Sequence, residues 1–220
     1  MKRLLVFGIV LCASFPVAAA TVSGRVSFAS KKGQNPVVTE TLVWLEPAGG
    51  HVVRRQPATF QMTTRNKTLI PHVLAIPVGS TVTFPNDDPI SHNLFSLSQA
   101  STFDLGLYRK GTGKSQKFDT PGIVNVYCNV HPNMSAVIHV MATTWYAFAD
   151  ANGAYSISDI PPGKYRAVAW NEQGGQTMMD INVTGSGVQG LALTLDTRNY
   201  RQNPHMNKVG KPYSAVPRDY

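Results

Sequence analysis

Four side chains that can bind a soft metal ion stand out in the sequence. Cys128, His131 and Met134 follow one another at intervals of three residues, and His92 lies upstream of them. Two imidazoles, a thiolate and a weak thioether form the ligand set of copper sites that transfer electrons, because this set accommodates both Cu(I) and Cu(II). A compact loop between two strands can turn the triplet toward one point. We therefore expect His92, Cys128, His131 and Met134 to hold a metal ion, with copper the ion that fits best.

The segments that must position these side chains have the pattern of β-strands. If the run 123–128 is a strand, its side chains point alternately to opposite faces. Val124, Val126 and Cys128 then share one face, which would point into a core. The segment 81–84 shows the same alternation and precedes His92. His92 is for this reason the best candidate for the ligand that must come from outside the loop.

Three other interpretations of the cysteine loop fit the residues less well. A cysteine at the end of a strand is often a small buried apolar residue, and a nearby methionine often fills a core, but neither explains the regular spacing. Structural zinc sites use several cysteines, or cysteine with histidine, and not a thioether. A cysteine nucleophile would need a distant histidine and an orienting third group. The sequence therefore predicts a metal-binding protein without enzymatic activity.

The remaining polar candidates are expected to have ordinary structural roles. The segment Asn86-Asp87-Asp88-Pro89 offers two carboxylates, which are too few for a convincing calcium site, and an Asx-type turn is the better interpretation. Four further histidines are expected to lie at the surface or in turns: His51, His72, His139 and His205.

The N-terminus has the three-part pattern of a secretory signal peptide over residues 1–20. Lys2 and Arg3 precede an apolar run, and Ala18-Ala19-Ala20 provides small residues for cleavage near Ala20. The apolar run is shorter than the ~20 residues of a spanning helix, so no stable membrane insertion is expected. Removal of the signal leaves Cys128 as the one cysteine, and an unpaired thiol in an oxidising compartment needs an explanation such as a bound metal. We expect a periplasmic protein.

The 220-residue chain is basic, with a formal net charge of +8. Such a charge favours acidic partners or anionic surfaces without selecting any one of them. The sequence contains no Gly-rich phosphate loop and no basic helix suited to a groove, so nucleic-acid binding is not expected.

The fold class predicted from the sequence is all-β. Short runs rich in Val, Ile, Thr, Phe and Tyr recur between Gly, Pro, Asn and Asp, which is typical of antiparallel sandwiches. In addition, the Asn152-Gly153 pair is a strong hairpin signal. The predicted strands are 22–28, 41–45, 73–77, 81–84, 123–128, 136–140, 155–157, 165–170 and 191–195.

Composition divides the chain further. Residues 58–142 contain all four candidate ligands, and residues 197–220 form a basic, Pro-containing tail that we expect to be flexible. The strands before residue 58 could begin the metal-bearing sandwich or pair with the strands after residue 142. We prefer the second arrangement, in which 58–142 is inserted between 21–57 and 143–196.

Several motifs within 58–142 resemble the cupredoxins, and among them the amicyanin-like and plastocyanin-like proteins. The matching segments are Val78-Gly79-Ser80-Thr81-Val82-Thr83-Phe84-Pro85-Asn86, Ser91-His92-Asn93, Tyr127-Cys128 and His131-Pro132-Asn133-Met134. The resemblance implies a Greek-key β-sandwich that holds one type 1 copper ion through His92, Cys128, His131 and Met134. It also implies that the backbone amide of Asn93 hydrogen bonds the thiolate and that His131 is the ligand nearest to solvent.

The flanking segments resemble the carboxypeptidase regulatory-like, or transthyretin-like, domains, which are small β-sandwiches. The residues that carry this likeness are Ala149-Asp150-Ala151-Asn152-Gly153-Ala154-Tyr155, Ile160-Pro161-Pro162-Gly163-Lys164-Tyr165, Gly24-Arg25-Val26 and Val43-Trp44-Leu45. The combination resembles exported proteins labelled as methylamine utilisation proteins.

Three functions are compatible with the sequence, and we prefer the first. The first is a periplasmic electron carrier that exchanges electrons with a redox protein such as a c-type cytochrome or a periplasmic dehydrogenase. The second is a periplasmic protein that binds or delivers copper without a redox partner. In the third, the flanking sandwich is an interaction module and copper is a structural support.

Overall fold

The structure is a computed structural model and describes residues 20–49, 54–201 and 204–213. Residues 1–19 of the predicted signal peptide, and with them the predicted cleavage segment except Ala20, lie outside the described residues, as does His51. Within the described ranges, no helix has the length and apolar character needed to cross a bilayer.

The all-β prediction is confirmed, because the described residues form β-strands and one turn of 3-10 helix, Val38–Glu40. Each of the nine predicted strands lies within, or one residue outside, an observed strand. In chain order the strands are β1 Ala20–Ala29, β2 Leu42–Pro47, β3 Thr59–Gln61, β4 Thr63–Arg65, β5 Thr68–Ile70, β6 Val73–Pro77, β7 Ser80–Asn86, β8 Leu94–Ser98, β9 Ser101–Asp104, β10 Gly111–Phe118, β11 Gly122–Cys128, β12 Ser135–Met141, β13 Tyr146–Phe148, β14 Ala154–Ile160, β15 Gly163–Asn171, β16 Gly175–Val183 and β17 Val188–Asp196.

Two facing sheets built from β3 to β12 form what we call the central sandwich. One has the order β10-β7-β4-β5, with β3 also paired to β7, and the other has the order β6-β12-β11-β8-β9. The expected alternation is observed in β11, where Val124, Val126 and Cys128 are fully buried in the core between the sheets. This core therefore fixes the direction in which the candidate thiol points.

The first and last parts of the strand-forming chain build a second unit, the flanking sandwich. Its sheets have the orders β14-β1-β17 and β13-β2-β15-β16, and one apolar cluster lies between them. In this unit β1 runs parallel to β17, and β2 pairs with both β13 and β15. The strands before residue 58 are thus joined by hydrogen bonds to strands after residue 142.

The hairpin prediction at Asn152-Gly153 is wrong. A tight turn is present, since the Gly153 N–H donates to the Asp150 carbonyl and Gly153 has φ +79°. The strands on either side of the turn, however, belong to different sheets, because β13 pairs with β2 and β14 pairs with β1. The turn carries the chain from one layer to the other.

The surface location expected for His139 is also wrong. His139 lies in β12 and is only 4% exposed, because Trp44 and Trp170 of the flanking sandwich cover the outer face of that strand. The side chains of β12 alternate as expected, so His139 points away from the core of the central sandwich. The flanking sandwich then buries His139.

Part of the predicted flexible tail lies against the central sandwich. The structure describes residues 197–201 and 204–213 of this tail, whereas residues 202–203 and 214–220 lie outside the described set. Segment 204–213 contacts the loop that follows β11. The His205 ring of the segment stacks on Tyr127 of β11 and meets the Tyr213 ring edge to face, although the segment has no apolar period.

Candidate metal centre

The loop between β11 and β12 is closed by its own backbone hydrogen bonds. The Cys128 N–H donates to the Met134 carbonyl at 3.0 Å, and the Met134 N–H donates to the His131 carbonyl at 3.1 Å. The spacing of three residues is thus the spacing of a tight turn between two paired strands. This turn brings Cys128, His131 and Met134 to one end of the central sandwich.

His92 reaches the same end from a different part of the chain. It lies between β7 and β8 in an isolated bridge with Tyr108, in which each residue donates its N–H to the carbonyl of the other. Leu94 of β8 then pairs with Cys128. The pairing of β8 with β11 therefore sets the position of His92 relative to the cysteine.

Two imidazole nitrogens face the thiol. Cys128 Sγ lies 3.7 Å from His92 Nδ1 and 3.5 Å from His131 Nδ1, and the ligand atoms of the three residues all lie within 4.8 Å of one another. With bonds of about 2.0 Å to nitrogen and about 2.3 Å to sulfur, as for zinc, ligands about 120° apart are separated by roughly 3.7 Å. The three side chains thus fit around a single first-row metal ion.

Met134 is buried in the same part of the molecule as Cys128. It is 1% exposed and belongs to the same apolar cluster as Cys128. Its thioether, when directed at the metal, would complete the set of two nitrogens and two sulfurs that suits copper. The role of Met134 as fourth ligand stays a prediction.

A buried carboxylate orients His92. Asp88 Oδ2 accepts a hydrogen bond from His92 Nε2 at 2.9 Å, which leaves Nδ1 free of its proton and facing the thiol. Burial is the main influence that lowers the pKa of His92, and Asp88 opposes it. His92 is therefore neutral and ready to bind a metal ion at pH 7.

The β4–β5 turn holds Asp88 in its charged form. Burial alone would raise the pKa of Asp88, but hydrogen bonds from the N–H groups of Lys67 and Asn66, at 2.9 and 2.6 Å, lower it below the ordinary value, and His92 adds to this effect. The Asx-turn prediction is confirmed at this point, since the Asp88 N–H donates to Asn86 Oδ1. The sequence did not indicate that Asp88 also binds His92; the i,i+4 spacing was the one available signal.

Burial shifts the pKa values of the Cys128 thiol and the His131 imidazole in opposite directions. Burial raises the pKa of Cys128, although the N–H groups of Val130, Asn93 and His131 act against this change. A cation is therefore needed to keep the thiolate at neutral pH. Burial is the main influence that lowers the pKa of His131, to about 4, so this imidazole is neutral. His131 is half-buried, whereas His92, Cys128 and Met134 are fully buried.

The chain is similar to several proteins of known structure. No family model matches the chain, and no curated protein matches it. An oxidised amicyanin variant shares 20% identity over 37% of this chain and 81% of its own, with a TM-score of 0.35. A reduced Cu(I) amicyanin variant shares 20% identity over 44% of this chain and 91% of its own, with a TM-score of 0.36. A purple cupredoxin from Nitrosopumilus maritimus shares 28% identity over 38% of this chain and 99% of its own, with a TM-score of 0.31. The similarity covers less than half of this chain, and each TM-score is below 0.5.

Proposed function

We propose that this chain is a type 1 copper protein that transfers electrons and holds one copper ion through His92, Cys128, His131 and Met134. The observation that carries the proposal is the convergence of two Nδ1 atoms on one buried thiol, at 3.7 and 3.5 Å. When bound, copper would accept or donate one electron by cycling between Cu(II) and Cu(I).

The protein side of this function is to keep the ligands fixed. His92 is held by Asp88, and the cysteine loop is held by its backbone hydrogen bonds, so neither needs to move when the charge at the site changes. Burial excludes water from Cys128, which protects the thiol from oxidation. The half-buried His131 provides the route by which an electron would enter or leave.

Deep burial also favours an electron carrier over a copper-delivery protein. His92 and Cys128 are 0% exposed and Met134 is 1% exposed, so release of the ion would require the loop to open. We place the carrier in the periplasm, with a c-type cytochrome or a periplasmic dehydrogenase as redox partner and no substrate of its own. We also propose that the flanking sandwich is a carboxypeptidase regulatory-like domain.

Electrochemistry combined with copper transfer tests this function. The copper-loaded chain should give a reversible one-electron wave and exchange electrons rapidly with a c-type cytochrome. It should also keep its Cu(I) when mixed with a metal-free acceptor protein. Ready transfer of Cu(I) to the acceptor without a reversible wave would contradict the carrier and support delivery.

A further inference from the structure

The C-terminal segment 204–213 makes a direct contact with the backbone of the candidate ligand Cys128. The Tyr213 hydroxyl donates to the Cys128 carbonyl oxygen at 2.7 Å. This carbonyl belongs to the residue whose N–H closes the loop onto Met134. Tyr213 therefore binds the backbone of the cysteine itself.

A second contact reaches Asn93, the residue next to the candidate ligand His92, through the side chain of Asp104. Lys208 Nζ donates to Asp104 Oδ2 at 2.7 Å, and Asp104 Oδ1 accepts from Asn93 Nδ2 at 2.5 Å. Asn93 directly follows the candidate ligand His92 in the chain. Burial alone would raise the pKa of Asp104, but Lys208 and Asn93 lower it below the usual value, so the carboxylate is charged in this chain of contacts.

A third contact fixes the residue after the cysteine. The Lys208 N–H donates to Asn129 Oδ1 at 3.0 Å, and the Asn129 N–H donates to the Asn93 carbonyl at 2.8 Å. The tail thus binds the residue that follows Cys128, and this residue in turn binds the segment between His92 and β8.

The segment has a shape of its own that suits this role. Asn207 forms a compact turn, since its side-chain oxygen accepts from the N–H groups of Val209 and Lys211 and its carbonyl accepts from Gly210. The His205 ring stacks on Tyr127, with centroids 4.4 Å apart and an angle of 21° between the rings. These contacts order the segment before it reaches Tyr213.

We infer that segment 204–213 is a positioning element of the metal centre, which holds the Cys128 loop in its ligand geometry and slows the loss of copper. The inference rests on the proposed function for its copper part. The contacts that carry it are made by Tyr213, Lys208 and His205, none of which is itself a candidate ligand.

Two substitutions in the full chain test the inference against a matched control. Tyr213→Phe removes only the hydroxyl group, and Lys208→Ala removes the ion pair with Asp104. Lys211→Ala removes the same charge from an exposed side chain for which the described part of the chain shows no partner. Alkylation of Cys128 in the metal-free protein is followed by mass spectrometry of its peptide, and copper release is followed with a Cu(I) chelator.

Both test variants should alkylate Cys128 and release copper roughly two- to tenfold faster than wild type, the effect of one lost hydrogen bond. Their thiolate-to-copper absorption should shift, and their unfolding midpoints should stay close to that of wild type. Lys211→Ala should behave as wild type in each measurement.

Wild-type alkylation and release rates in both Tyr213→Phe and Lys208→Ala would overturn the inference and leave the proposed function intact. Failure of the wild-type chain to bind copper would instead contradict the proposed function. The alkylation rates of the metal-free variants would then still decide whether the segment holds the Cys128 loop.

Discussion

At the scale of single residues, the chemistry of the site depends on a ligand set and on the groups that fix it. The cysteine loop could be predicted from the sequence, because three donors at short spacing lie in one turn. Asp88 could not, since its contact with His92 depends on where the β4–β5 turn places two backbone N–H groups. The contact of Tyr213 with Cys128 joins residues far apart in the chain, and no local pattern indicates it.

The Asp88→Asn substitution should weaken copper binding by about 10- to 100-fold, because an amide orients His92 less strongly than a buried carboxylate. Competition with a Cu(I) chelator measures the affinity. Asp87→Asn is the matched control, since Asp87 forms an exposed ion pair with Arg65 and does not contact His92. Equal affinity in the two variants would contradict the orienting role of Asp88.

At the scale of secondary structure elements, alternation predicted the strands well and their partners less well. The buried face of β11 follows from its sequence, because alternate side chains must point into one core. The pairing of β13 with β2 and of β14 with β1 does not follow, since an Asn-Gly turn is compatible with a hairpin or with a change of layer. Short strands such as β4 and β9 have few apolar residues and left no clear pattern.

The strand that leads to Asp88 and His92 depends on a glycine in its neighbour. Gly113 in β10 has φ +78°, and a Cβ there would lie 1.8 Å from the Phe84 carbonyl oxygen in β7. Gly113→Ala should therefore lower the free energy of unfolding by about 2 kcal/mol or more, through strain and separation of these strands. Denaturant unfolding checks this, with Gly49→Ala as the control because a Cβ at Gly49 meets nothing within 4 Å. Equal stability of the two variants would argue against this strand geometry.

At the scale of the whole molecule, the two sandwiches share a buried contact that composition does not reveal. His139 packs against Trp170 and Trp44, with ring centroids 4.3 and 6.0 Å apart, and its Nε2 atom has no hydrogen-bond partner in the described part of the chain. A strand that is covered on both faces, such as β12, has apolar residues on both faces. It therefore lacks the alternation of apolar and polar residues that is typical of a surface strand. The sequence therefore predicted the wrong environment for His139 while predicting its direction correctly.

This contact should make the stability of the molecule sensitive to pH. Burial lowers the pKa of His139 to about 4, so the unfolded chain binds this proton more readily than the folded chain does. The contribution of the neutral imidazole is complete above the unfolded pKa and is lost as the pH falls toward 4. Relative to His139→Leu, wild type should lose about 3 kcal/mol of unfolding free energy between pH 7 and pH 4.

Denaturant unfolding of the metal-free proteins at several pH values measures this difference. His72→Gln provides a contrast of opposite sign, because the hydrogen bond with Glu172 raises the pKa of His72. The contribution of His72 is complete below the unfolded pKa and is lost as the pH rises through the folded value. Parallel pH profiles for wild type and His139→Leu would contradict the buried, neutral state of His139.

Visible absorption after addition of Cu(II) to the metal-free chain tests the central claim most directly. The geometry predicts an intense thiolate-to-copper band that saturates at one copper ion per chain. The band should be absent in Cys128→Ala and retained in Asp87→Asn, because Asp87 forms an exposed ion pair with Arg65. A wild-type chain that develops no such band, or a band that survives in Cys128→Ala, would contradict a copper site built on Cys128.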